Sequence, residues 1–219
     1  MIQLTNAVEW AKRIILSELK EQADVTCWLG GGCIRDYFSS KPISSDYDIF
    51  FPNETEYDKA KKYFIDQNCD VVWDGDNGTK LKYNNKTFDL VKIYFDNPQV
   101  SIDAFDFTIS MFAIDTENVY YGESSFIDLV KKQLMINKIT YPASTLKRAL
   151  KYHKKGYSMC VVEIKKMVEA IQDMPKQKND TEKTKTSGES IKPVNEKKKE
   201  DTTMEDVSGD AMNFFVGID

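Results

Sequence analysis

The stretch Trp28-Leu29-Gly30-Gly31-Gly32-Cys33-Ile34-Arg35-Asp36 constrains this chain more than any other. Val25 to Leu29 reads as a short β-rich run that stops at three consecutive glycines, and a helical pattern follows. Glycines between a strand and a helix let the backbone come close to a ligand. The helix start then offers free N–H groups and a partial positive charge to an anion, usually a phosphate. Arg35, one of only three arginines in the chain, falls one turn into that helix and can reach the same anion. A plain tight turn would use the same glycines, so the reading depends on what lies nearby.

Nearby is Ser45-Asp46-Tyr47-Asp48-Ile49-Phe50-Phe51. Residues two apart on a strand face the same side, so Asp46 and Asp48 project two carboxylates together at the start of an apolar run. A divalent cation relieves their repulsion, and hard oxygen donors suit magnesium or manganese. The alternative is a solvated turn ahead of a strand, which the apolar Ile49-Phe50-Phe51 weakens. Asp89, within Phe88-Asp89-Leu90-Val91-Lys92, is a candidate third carboxylate, or else a residue that faces solvent by alternation.

Around these motifs the apolar spacing predicts helices over 6–21, 54–68, 125–132, 143–156 and 159–172. Strands are expected at 47–51, 71–73, 79–83, 87–94, 109–114 and 119–121, with turns at 74–78 and at Asn84-Asn85. Of the 219 residues 41% are hydrophobic and 12% aromatic, enough for a core. No apolar run approaches the roughly 20 residues a membrane helix needs, and no basic cluster precedes an apolar stretch at the N-terminus. The expectation is a cytoplasmic protein with no membrane partner. A formal net charge of -5 argues against a general nucleic-acid coat. Four cysteines without a C-x-x-C pair, and His153 as the only histidine, exclude a structural zinc site; the thiols are expected free and reduced.

Composition changes after about residue 174. Pro175 to Asp210 holds eight Lys and nine Asp+Glu with no aromatic residue. Such a segment buries too little apolar surface to offset its ordering entropy, so residues 175–219 are expected to form a disordered charged tail, dispensable for the fold. It ends in the apolar peptide Ala211-Met212-Asn213-Phe214-Phe215-Val216-Gly217-Ile218-Asp219. That peptide is either a docking motif, for this chain or a protein partner, or an uninformative end.

The glycine turn followed by Asp-x-Asp-Ile resembles the head domain of the tRNA nucleotidyltransferase and bacterial poly(A) polymerase family, within the polymerase-β-like nucleotidyltransferases. Phe105-Asp106-Phe107-Thr108-Ile109-Ser110-Met111-Phe112-Ala113 resembles the family's Arg-Asp-Phe-Thr-Ile-Asn-Ala block. Ile127-Asp128-Leu129 to Leu134 resembles the segment that closes the head, and Leu146 to Tyr152 the arginine-bearing helix that opens the neck. The resemblance covers about residues 24–157. It implies an α+β fold, a mixed and mainly antiparallel sheet with flanking helices. The head would occupy residues 1–140 and a short helical neck 141–174.

The resemblance also implies roles. Asp46, Asp48 and Asp89 would be the catalytic metal ligands, holding Mg2+ or Mn2+. Gly31, Gly32, Arg35, Asp36, Asp106 and Arg148 would bind the nucleoside triphosphate. The reaction would move a nucleoside monophosphate to a hydroxyl acceptor, an RNA 3′ end first among them, and release pyrophosphate. The alternatives are a binding protein on the same fold that has lost activity, or nucleotidylation of a protein or small molecule. The chain departs from the pattern at Phe105, where the family has Arg, and at Ser110, where it has Asn. A Glu-Asp-x-x-Arg element, which reads the incoming base in the family, is missing after the neck helix. The lysine-rich, arginine-poor composition and small size suggest a compact phage-type version. The basic run Lys147, Arg148, Lys151, Lys154 and Lys155 is either a solvated face or a set of RNA phosphate contacts.

Overall fold

The computed structural model describes residues 4–174. The expectations for the charged tail and its apolar end therefore lie outside the described residues. The chain opens with a helical rod: α1 (Leu4–Ala11), a π-helical stretch (Lys12–Leu16) and α2 (Ser17–Ala23), closed by Asp24 in the left-handed region. Its apolar stripe, Ala7, Val8, Ala11, Ile15, Leu16 and Leu19, is buried against the sheet. Then follow β1 (Trp28–Gly30), α3 (Gly32–Phe38), β2 (Tyr47–Phe51) and α4 (Glu54–Asp66). Asn53 caps α4 by accepting from the Glu56 N–H at 3.1 Å, and Glu54 and Glu56 complement the helix start.

Next come the meander β3 (Asp70–Gly75), β4 (Gly78–Tyr83) and β5 (Lys86–Tyr94), then α5 (Pro98–Asp103), β6 (Phe112–Ile114) and β7 (Val119–Tyr121). The described part ends with α6 (Ser125–Lys131), α7 (Pro142–Lys154) and α8 (Val161–Gln172). The seven strands form one sheet in the order β3-β4-β5-β2-β1-β6-β7. Only the β2–β5 pairing is parallel, so the sheet is mixed and mainly antiparallel, as the α+β expectation held.

The sheet has an apolar cluster on each face. Ile49 and Phe51 of β2 join the larger one, which runs from Ala7 through Tyr152 to Met167. Phe50 points the other way, into a smaller cluster with Trp28, Val91, Ile102, Phe105, Met111 and Ala113, beneath α5. By strand alternation Asp48 shares the Phe50 side.

Three local expectations change. The run expected as a strand from Val25 pairs only over Trp28–Gly30. The expected strand 109–114 begins as a 3-10 turn, Thr108–Ser110, and only Phe112–Ile114 pairs. The Thr108 hydroxyl donates to Asp128 (2.8 Å) and its N–H to the Met135 carbonyl (3.0 Å), which pulls this segment off the sheet. A short apolar run does not by itself separate strand from helix. Helix α5 is new, although its signals stand in the sequence: Asn97 accepts from the Val100 N–H, and Pro98 opens the first turn.

Candidate active site

Strand register brings the acidic residues together. In the parallel β2–β5 pair, Asp48 lies beside Asp89. The β4–β5 hairpin turns through Asn84-Asn85, both at positive φ (49° and 59°), the pattern of a type I′ turn. That two-residue turn sets Tyr83 opposite Lys86, and so Lys80 opposite Asp89. Asp48, Asp89 and Lys80 thus form one row across three strands. Asp46, just ahead of β2, completes the group: the Lys80 Nζ donates to Asp46 Oδ2 at 2.7 Å and lies 3.2 Å from Asp89 Oδ2.

Asp48 is the extreme member. It is fully buried, and neither carboxylate oxygen has a hydrogen-bond partner. Burial, and then the charges of Asp89 and Asp46, push its pKa well above the usual carboxylate value. Burial also raises Asp89, to about 6, despite the opposing pull of Lys80. Removal of the Lys80 ammonium from water works against its protonation, but the bond to Asp46 and the charges of Asp89 and Asp46 outweigh this, and its pKa is raised.

The glycine turn sits at the end of β1. Gly30 is required by close packing, since a Cβ there would lie 2.7 Å from the Phe50 ring. Gly31 has φ 73°, a backbone state that favours glycine; its N–H bonds the Phe112 carbonyl at 2.9 Å, and Gly32 starts α3. Arg35 is fully buried. Its Nε and Nη2 donate to Asp36 Oδ1 (3.0 and 2.9 Å) and Nη2 to Ser45 Oγ (3.1 Å), while the guanidinium stacks 5.0 Å from the Tyr152 ring centre. Nη1 is buried without a partner. Asp36 Oδ2 accepts from the Ser44 N–H and hydroxyl (3.2 and 2.9 Å). Arg35 and Asp36 therefore fix the loop that delivers Asp46.

Asp106 and Arg148 meet each other. Asp106 Oδ2 accepts from Arg148 Nε (2.7 Å), Arg148 Nη2 and the Thr145 hydroxyl (2.8 Å), which fastens α7 to the segment before the 3-10 turn. The two departures from the family pattern have structural uses. Phe105 packs on Phe50, ring centres 5.7 Å apart, and Ser110 shares a 2.8 Å hydrogen bond with the Tyr152 hydroxyl. From the basic run, Arg148 is turned inward, Lys151 lies within electrostatic reach of Asp46 and Asp48, and Lys155 lies beside Asp36 and Ser44. Burial and then Arg35 lower both of their pKa values, Lys155 to about 8. Lys155 reaches Ser44 at 3.4 Å.

The sequence reading placed Asp46, Asp48 and Asp89 without their neighbour Lys80. The Asn84-Asn85 turn held the signal, because it fixes the residue opposite Asp89. Among the described residues no three acidic, thiol or imidazole groups close into a metal cage as they stand. Lys80 takes the place where Asp46 and Asp89 would converge. The donor set nonetheless fits a hard divalent cation. All three groups are carboxylates, and both Asp48 oxygens are buried and unpartnered, which is costly without a positive counterpart. The buried Cys27 and Cys33 face no such role: burial pushes Cys27 up to about 12 and raises Cys33 as well.

The fold is similar to that of solved nucleotidyltransferases. Solved structures of a CCA-adding enzyme with CTP match at TM-score 0.59 and 12% identity, covering 78% of this chain and 46% of that one. A Thermotoga maritima CCA-adding enzyme complexed with tRNA matches at TM-score 0.58 and 13% identity, covering 78% and 47%. A tRNA nucleotidyltransferase complexed with a primer tRNA and an incoming ATP analog matches at TM-score 0.55 and 16% identity, covering 72% and 50%. The chain spans about half the length of these structures. A comparison with curated proteins finds no match.

Residues 3–132, more than half of the chain, match the Gabija anti-defense 2 family, and the chain belongs to it. Among the described residues no helix is long and apolar enough to cross a membrane.

Proposed function

We propose that the chain is a metal-dependent nucleotidyltransferase that moves a nucleoside monophosphate from a nucleoside triphosphate to a hydroxyl, with an RNA 3′ end as the first acceptor. The observation that carries this reading is Asp48, a fully buried carboxylate with two unpartnered oxygens, in register with Asp89 and beside Asp46. Asp46, Asp48 and Asp89 would hold magnesium or manganese. When bound, that ion supplies positive charge to the transferring phosphoryl group and favours the ionised form of the attacking hydroxyl. In the reaction the acceptor hydroxyl gives its proton to solvent, its oxygen bonds to the α-phosphorus, and the bond from the α-phosphorus to the bridging oxygen breaks. Pyrophosphate takes that bonding pair.

The chain's own residues orient these groups. The Arg35–Asp36 pair fixes the Ser44-Ser45 loop and so the position of Asp46. Lys151 and Lys155, whose ammonium groups are disfavoured by burial and by Arg35, gain from an anion laid between them and the carboxylates. Positioning and charge would supply most of the catalysis.

Base choice should be weak. Phosphate and metal contacts are shared by all nucleoside triphosphates, and discrimination needs hydrogen bonds to a base edge, each worth about 1–3 kcal/mol. With no Glu-Asp-x-x-Arg element after α7, the kcat/KM ratios among ATP, CTP, GTP and UTP should stay within about two orders of magnitude. A larger ratio would reveal a base-reading site elsewhere.

A second acceptor class, protein or small molecule, is favoured by one observation: the chain's family carries an anti-defense description. The experiment is to incubate the protein with α-labelled nucleotides, manganese, and either total RNA or a protein extract, then treat with nuclease or protease. Label that survives protease and is lost to nuclease supports the RNA reading, and the reverse supports a protein acceptor. No labelled product with either would support a protein that binds nucleotides without transfer.

A further inference from the structure

We propose that Lys80 is a resident counter-cation of the acidic row, which a divalent metal must displace before it can occupy the site. The proposal rests on the nucleotidyltransferase reading and assigns a positioning role to a residue outside that reaction scheme. The argument starts from register. The Asn84-Asn85 turn places Lys80 opposite Asp89, and the parallel β2–β5 pairing places Asp48 on the far side of Asp89. Side chains in one row across neighbouring strands share a face. From there the ammonium bridges Asp46 at 2.7 Å and Asp89 at 3.2 Å.

A divalent ion held by Asp46, Asp48 and Asp89 would draw on the same two carboxylates that Lys80 bridges. Asp48 meanwhile keeps both oxygens buried and unpartnered. Lys80 thus neutralises two of the three carboxylates and leaves the third unanswered. This arrangement holds the site assembled without a metal and still leaves a strong pull for one. The Lys80 side chain is about one-third exposed, so it has a solvent-facing path along which to withdraw. Its long unbranched stem lets the head group leave while the strand stays paired.

Competition has a measurable sign. A residue that supported the metal would weaken binding when removed, whereas a competitor strengthens it. Mn2+ binding to the full chain, measured directly by paramagnetic resonance, should be about tenfold tighter in Lys80→Met, the effect of removing a charge-assisted hydrogen bond to Asp46 and an ion pair to Asp89. Lys80→Arg, which keeps the bridge, should bind as the wild type does. The metal-free Lys80→Met protein should also melt lower than the wild type, and its gap should close when Mn2+ is added.

A second measurement uses the unaltered protein. Lysine acetylation read by mass spectrometry should be slow at Lys80 without metal and several-fold faster with saturating Mn2+, since the displaced ammonium enters solvent. Equal or weaker Mn2+ binding in Lys80→Met overturns the counter-cation role and leaves the metal site standing. So does unchanged Lys80 acetylation while Mn2+ is bound. Failure of both wild type and Lys80→Met to bind Mn2+ would overturn the metal site itself.

Discussion

Asp48→Asn should sharply reduce nucleotidyl transfer and, in the same protein, raise the thermal midpoint without metal. Transfer should fall by about a hundred- to a thousandfold, the scale seen when one preorganised charge-stabilising group is removed. Stability should rise because the native fold holds this carboxylate without a hydrogen-bond partner beside two others. A neutral amide in its place removes the cost of a buried charge beside two other carboxylates, on the order of 1–3 kcal/mol, or several degrees for a chain of this size. A purely structural aspartate would give the opposite pair of results.

The pH dependence carries the same sign. Asp48 and Asp89 both have folded pKa values above their unfolded values. Their contribution to stability is therefore fully present below the unfolded carboxylate range and is lost as pH rises, through about 6 for Asp89. The midpoint difference between Asp48→Asn and wild type should be small near pH 4 and should widen toward pH 7. A difference that narrows with rising pH would contradict the assignment of the burden to Asp48. Saturating Mn2+ should reverse the order, stabilising the wild type and leaving the variant unchanged.

Arg148→Ala should be the most destabilising change on α7. It strands Asp106, which is almost fully buried and takes hydrogen bonds from Arg148 and Thr145 on one oxygen. Breaking one side of a buried pair costs about 3–5 kcal/mol, which urea denaturation will resolve. Lys147→Ala, one residue earlier and exposed, should lie within about 0.5 kcal/mol of wild type. The contrast separates a residue that fastens α7 to the sheet from one that faces solvent. If Arg148→Ala melts like the wild type but loses nucleotide affinity, Arg148 acts on the ligand instead.

The site was legible where chemistry and chain periodicity coincide. Asp46 and Asp48 stand two apart at the head of an apolar run, and strand alternation alone puts them on one side. Asp89 needed the parallel β2–β5 pairing, a long-range contact that no local pattern displays. Lys80 is hidden differently: the Asn84-Asn85 turn is legible in the sequence, but the residue it sets opposite Asp89 depends on the two-residue register of the β4–β5 hairpin. Arg35 and Arg148 show the limit of reading charge from sequence. Both read as ligand-facing cations, and both lie buried against neighbouring aspartates, Asp36 and Asp106. Spacing along a helix fixes direction but not what the rest of the chain brings to meet it. The 3-10 turn at Thr108–Ser110 failed for a related reason, since its geometry follows from bonds to Asp128 and Met135.

The most direct test of the account is a crystal structure of the full chain with Mn2+ and a non-hydrolysable nucleoside triphosphate, recorded with anomalous scattering from manganese. The account predicts an anomalous peak within about 2.1–2.3 Å of an Asp48 carboxylate oxygen, shared with Asp46 or Asp89, and phosphate density beside it toward Lys151. Bound nucleotide with Asp48 still unpartnered, or manganese held away from all three aspartates, would contradict it.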